Sequence, residues 1–96
     1  MPHFLVEYRE LGNAARRDAL RGTHVAYRKG LGDDMALAGP LLDDDDKPVG
    51  SVVILVAKDE ASARATALAD PYVAGEVLAL ESVRRYRIAA MKLPVG

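Results

Sequence analysis

The sequence predicts an α+β protomer with the element order β-α-β-β-α-β. Three observations carry this reading. Two stretches with helical apolar spacing, opening near Asn13 and Asp59, alternate with stretches of strand character. Ser51 to Ala57 is β-branched and apolar on both faces. The connections are short and marked by Gly, Pro, Asn or Asp, with no linker and no internal repeat. That order is the split βαβ, or ferredoxin-like, arrangement: an antiparallel sheet with both helices on one face. The 96 residues suit one domain, spanning 1–96.

The first strand runs from His3 to Arg9, with Phe4, Val6 and Tyr8 on one face and His3, Leu5 and Glu7 on the other. Gly12-Asn13 ends it, and the Asn13 side chain is suited to cap the following helix. In that helix Leu20, His24, Tyr27 and Leu31 recur at i, i+4, i+7 and i+11, opposite Arg16, Asp18, Arg28 and Lys29. Gly30-Leu31-Gly32 ends the helix. Met35 to Leu42 is the second strand, and Pro40, which lacks an N–H, places it at a sheet edge. Asp43 to Gly50 is a polar hairpin connection.

In the third strand Val53, Leu55 and Ala57 share one face and Val52, Ile54 and Val56 the other. Asp59 caps a second helix whose stripe reads Ala61, Ala65, Leu68 and Tyr72. Asp70-Pro71 punctuates it, because a residue before proline resists the α conformation, and a short turn restarts at Pro71 with Asp70 as its cap. Val77 to Ala90 is the last strand, curved or bulged, since Leu80, Ser82, Arg84, Tyr86 and Ile88 alternate imperfectly with charge.

Helices can cover only one face of such a sheet. Val52, Ile54 and Val56 would leave an apolar patch on the other, the usual mark of an interface. The expected partner is a second copy of the chain, giving a homodimer through the sheet face.

Composition narrows the function. Thirteen basic and 14 acidic side chains, net charge -1, do not make an electrostatic nucleic-acid binder. Without cysteine there is no disulfide, thiolate metal site or cysteine nucleophile. No stretch has a signal-peptide pattern or approaches membrane-spanning length, so the expected setting is cytoplasmic, with no membrane partner. The run Asp43 to Asp46 lacks the glycine and alternating spacing of a calcium loop and reads as solvated. Arg84, Arg85 and Arg87 read as charge protecting a sheet edge, or as a patch for a dimer or an anionic ligand.

His24 occupies a position where leucine is expected. It is either a core histidine bonded to backbone groups or an imidazole aimed into a pocket. No second histidine stands at HxxH or HxxxH spacing, so no metal site is expected. One imidazole oriented by one carboxylate can move a proton near neutral pH. The candidate carboxylates are Asp33, Asp34, Asp70 and Glu76. Asp70 stands out because Asp-Pro-Tyr fixes its backbone; a plain helix cap is the competing role.

Arg21-Gly22-Thr23-His24, Ala38-Gly39-Pro40, Gly50-Ser51 and Asp70-Pro71-Tyr72 occur in an order that resembles the YciI-like (YCII-related) proteins, over Phe4 to about Ile88. The resemblance implies a ferredoxin-like protomer that pairs into a dimeric α/β barrel. It implies a His–Asp pair, His24 and Asp70, in a pocket lined by Ser51, with Gly39, Pro40, Arg21 and Tyr72 at the substrate. Some relatives are dehydrochlorinases of chlorinated hydroxyquinols, and similar barrels house muconolactone isomerases. The implied function is proton transfer of lyase or isomerase type on a small cyclic or aromatic metabolite, with no cofactor. The alternative is a non-catalytic ligand-binding or regulatory module. The acidic hairpin and Gly22 depart from the pattern, away from the motif residues.

Overall fold

In the computed structural model, which describes residues 1–92, the central strand is β1 (His3–Glu10). It pairs antiparallel with β3 (Pro48–Val56) on one side and with β4 (Leu78–Tyr86) on the other. β2 (Met35–Leu42) pairs antiparallel with β3, which gives the sheet order β2-β3-β1-β4. Pro40 accordingly lies on an edge strand. One face carries α1 (Ala14–Gly30), α2 (Glu60–Leu68) and the single turn α3 (Pro71–Ala74). This is the ferredoxin-like α+β arrangement. Residues 93–96, the end of the single domain expected from the sequence, lie outside the described residues.

Side-chain caps start each helix. Asn13 accepts from the Arg16 N–H at 3.4 Å, Asp59 from Ser62 at 2.8 Å and Asp70 from Tyr72 at 3.0 Å. The core forms where the sheet meets α2 and α3. Val6 faces Val53 on one side and Val83 on the other, and Phe4 faces Leu55, all buried. Ala63, Ala67, Tyr72, Val77 and Leu78 close over them.

The second helix sits in a different phase from the one its sequence spacing predicts. Ala61, Ala65 and Leu68 are exposed, whereas Ala63 and Ala67 are buried. The helix stops at Leu68, so Tyr72 belongs to a separate turn and does not extend the stripe. The Tyr8 hydroxyl donates to the Ala67 carbonyl at 2.8 Å and ties this face to the sheet. The last strand ends earlier than expected, at Tyr86, but does carry a bulge. Ser82 faces Glu7 and Leu80 faces Tyr8, so Glu81 is an extra residue and Leu80 turns onto the helix side.

The face without helices is apolar at its centre. Ile54 is flanked in register by Leu5 and Leu37, with Val52 and Val56 on the same side. Leu37 is 49% exposed there. The Glu7–Arg84 ion pair, 2.7 Å, lies on this face toward β4. Among the described residues no helix is long and apolar enough to cross a membrane.

In the acidic hairpin only Asp43 has a structural task. Its carboxylate accepts from the Asp45 and Lys47 N–H groups at 2.8 and 3.0 Å. Replacing both Asp44 and Asp45 by Asn is therefore expected to change stability by less than about 0.5 kcal/mol in urea denaturation. Calorimetric titration with calcium is expected to show no stoichiometric binding. Among the described residues no group of three or more acidic, His or Cys side chains is gathered to hold a metal.

Candidate functional site

Between α1 and the β2–β3 hairpin lies a cleft of about 350 Å³. Arg17, Arg21, His24 and Arg28 form its α1 wall. Their spacing of four, three and four residues follows one side of a helix. Ala38, Gly39, Pro40, Pro48, Gly50 and Ser51 form the opposite wall, and Tyr72 and Leu78 complete it. His24, Ser51, Gly39, Pro40, Arg21 and Tyr72, singled out from the sequence, therefore line one cleft. Asp70 stands behind the wall, in contact with it through His24 and Arg28.

Asp70 is 1% exposed, and all its charge is met by donors. Its Oδ1 accepts from His24 Nδ1 at 2.7 Å and from the Tyr72 N–H at 3.0 Å. Its Oδ2 accepts from Arg28 Nε at 3.0 Å. Pro71 starts α3 directly after Asp70 and so fixes the carboxylate at the helix N-terminus. Cap and orienting carboxylate are thus one residue performing both tasks. The His24 ring also stacks flat on Tyr72, with centroids 3.8 Å apart and planes at 5°. The Tyr72 hydroxyl donates to the Arg17 carbonyl at 3.3 Å. The imidazole is thereby held in its plane and along its edge.

The charge on Asp70 decides the tautomer of His24. Burial raises the Asp70 pKa, but hydrogen bonds from His24 and Tyr72, the charge of His24 and the bond from Arg28 outweigh it, and the net shift is downward. An ionised carboxylate only accepts, so Nδ1 of His24 carries the proton. In the neutral ring Nε2 is then the basic nitrogen. A depressed carboxylate pKa stabilises the fold above the unfolded value, 3.8, and that contribution is lost as pH falls through the folded value. Urea midpoints are expected to drop on the acid side of about pH 4, and to drop less in Asp70→Asn.

Arg28 is the residue that sequence reasoning placed on the wrong side. It was expected to face solvent beside Lys29, yet its side chain is only 13% exposed. Its guanidinium lies 5.6 Å from the Tyr8 ring centre, its Nη1 is 3.5 Å from Ser51 Oγ, and its buried Nη2 has no hydrogen-bond partner among the described residues. Burial pushes the Tyr8 phenol up, so that hydroxyl stays a donor to Ala67. Arg17, not singled out in the sequence, pairs with Glu10 and lies 5.5 Å from the Tyr72 ring centre. The signal for both was the spacing of positions 17, 21, 24 and 28, a second stripe beside the apolar one. At Gly39 it is the carbonyl that meets Ser51, 3.5 Å from its hydroxyl, so that contact presents an acceptor.

A family model described as the YCII-related domain matches residues 1–87. No curated protein matches the sequence significantly. A solved structure, 5-chloro-2-hydroxyhydroquinone dehydrochlorinase from Burkholderia phenoliruptrix in complex with 2,5-dihydroxybenzoquinone, superposes with a TM-score of 0.70. It is 23% identical, and the match covers 88% of this chain and 93% of that one. At that identity the likeness is one of fold.

Proposed function

Because the chain belongs to the YCII-related family, we propose that its cleft is the active site of a small-molecule enzyme, a lyase or isomerase that moves a proton through His24 and Asp70. The observation that carries this is the 2.7 Å contact between His24 Nδ1 and a buried, ionised Asp70 at the wall of an open cleft. His24 Nε2 acts as general base and takes a proton from substrate. Asp70 stabilises the imidazolium that forms and keeps the ring in place. The Ser51 hydroxyl, held only by long contacts, turns to donate to a substrate oxygen as negative charge develops there. The imidazolium then gives up the proton: to another substrate atom in an isomerisation or, in an elimination, to water after the leaving group has departed as an anion with its bonding electron pair. The cleft volume, near the low end for ligand pockets, suits a single small ring.

The structural neighbour supplies a test substrate. Incubation with 5-chloro-2-hydroxyhydroquinone is expected to release chloride, and His24→Ala is expected to abolish the release while preserving the fold. Release at the wild-type rate by His24→Ala rejects His24 as the base. Binding of the compound with no release by the wild type supports instead a ligand-binding module.

We also propose that two copies join through the open sheet face, closing a barrel. Support comes from the apolar centre formed by Leu5, Leu37, Val52, Ile54 and Val56. Sedimentation at micromolar concentration is expected to give the mass of two chains; a well-folded monomer there rejects the dimer.

A further inference from the structure

The cleft walls are electrically one-sided. Four basic side chains, Arg17, Arg21, His24 and Arg28, line the cleft, and no acidic residue among the described residues does. Arg28 and Arg17 are answered by carboxylates that do not line it, Asp70 and Glu10. Arg21 has no ion pair or hydrogen bond among the described residues and is exposed. With its partners included, the cleft therefore keeps one uncompensated guanidinium while His24 is neutral. Across from it, Ala38, Pro40 and Pro48 offer apolar contact and no charge.

A charged group at one wall facing apolar groups at the other selects a ligand with the same division. We propose that the cleft takes a small organic monoanion, a single ring carrying one carboxylate or ionised enol oxygen, with the anion received at Arg21 and the ring against Ala38, Pro40 and Pro48. The inference rests on the proposal that this cleft is the substrate site, and it names the substrate class. A guanidinium fits the carboxylate because its planar fork matches two coplanar oxygens, and it meets a lone enolate oxygen with a single charge-assisted N–H bond. The apolar wall and the single free charge argue against a small, fully hydrated dianion such as phosphate, which would leave that wall unused.

Benzoate and benzamide separate charge from shape, since they share a ring and a planar head. Titration of the intact protein, followed by amide chemical shifts, is expected to show benzoate binding about tenfold tighter than benzamide. Arg21→Gln is expected to erase that difference without disturbing the fold, because the side chain is exposed and bonded to nothing described. Arg87→Gln, in the separate basic cluster at the end of β4, is expected to leave it intact. Equal affinity for the two probes, no benzoate binding at millimolar concentration, inorganic phosphate binding more tightly than benzoate, or loss of the preference in Arg87→Gln overturns the inference. Its failure is distinguishable from failure of the proton-transfer reading. Benzoate preference needs no turnover, and loss of chloride release in His24→Ala needs no Arg21.

Discussion

Asp70→Asn is expected to lower folding stability by about 3–5 kcal/mol, the usual consequence of removing one partner from a buried ion pair. The reason lies on both sides of the carboxylate. At Oδ1 an asparagine oxygen still accepts from His24 and from the Tyr72 N–H, the contacts now made at 2.7 and 3.0 Å. At Oδ2 the amide NH₂ meets Arg28 Nε, donor against donor, where the native contact is 3.0 Å. A guanidinium 13% exposed then has no counter-charge, and its Nη2 is already without a partner. The damage is expected to come mainly from Arg28. Adding Arg28→Met to Asp70→Asn should therefore recover part of the loss, because the buried cation goes too. Guanidinium denaturation of the two single variants and the double variant closes the cycle. Additive losses would mean that the two residues do not share their energy.

The same substitution tests the chemistry. In the wild type, nitrogen-15 shifts of His24 are expected to report the proton on Nδ1 and a basic Nε2. Asn tolerates that tautomer less strictly and offers no charge to an imidazolium. Asp70→Asn is accordingly expected to lose turnover even under conditions where it remains folded. Unchanged nitrogen shifts together with full activity would reduce Asp70 to a helix cap.

Much of this was legible from residue types and spacing, for reasons that can be named. Phe4, Val6 and Tyr8 alternate against His3, Leu5 and Glu7, and a pleated strand with one buried face obeys that period directly. Asp70-Pro71-Tyr72 placed a carboxylate because proline constrains the backbone on either side of it. The phase of α2 was not legible, since four alanines in nine residues give no contrast in size between its faces. Arg28 was misread because charge at helical spacing normally marks a solvated side. Only the buried carboxylate of Asp70, 42 residues away in sequence, makes that position an interior one. Ser51 came from the family resemblance, as nothing in its local sequence separates it from any strand serine.

Gly50→Ala is the second substitution expected to have a large effect, about 1–3 kcal/mol, the range for overpacking a fitted interior. A Cβ at this position would lie 2.5 Å from the Tyr8 carbonyl oxygen and 3.3 Å from Leu41 Cδ1. The leucine can rotate away. The carbonyl cannot, because it belongs to β1, the strand on which both halves of the sheet are built. Relief requires β1 and β3 to separate locally at the Arg9–Gly50 and Tyr8–Ser51 pairs. That displacement passes straight to the cleft, since Gly50 and Ser51 form part of its wall and Tyr8 lies under Arg28. The variant is thus expected to lose stability and ligand binding together, with the His24–Asp70 contact, on the helix side, retained. Urea denaturation measures the first, benzoate titration the second and the nitrogen shifts of His24 the third. A change in stability below about 0.5 kcal/mol would mean that the sheet yields at this point more readily than close packing permits.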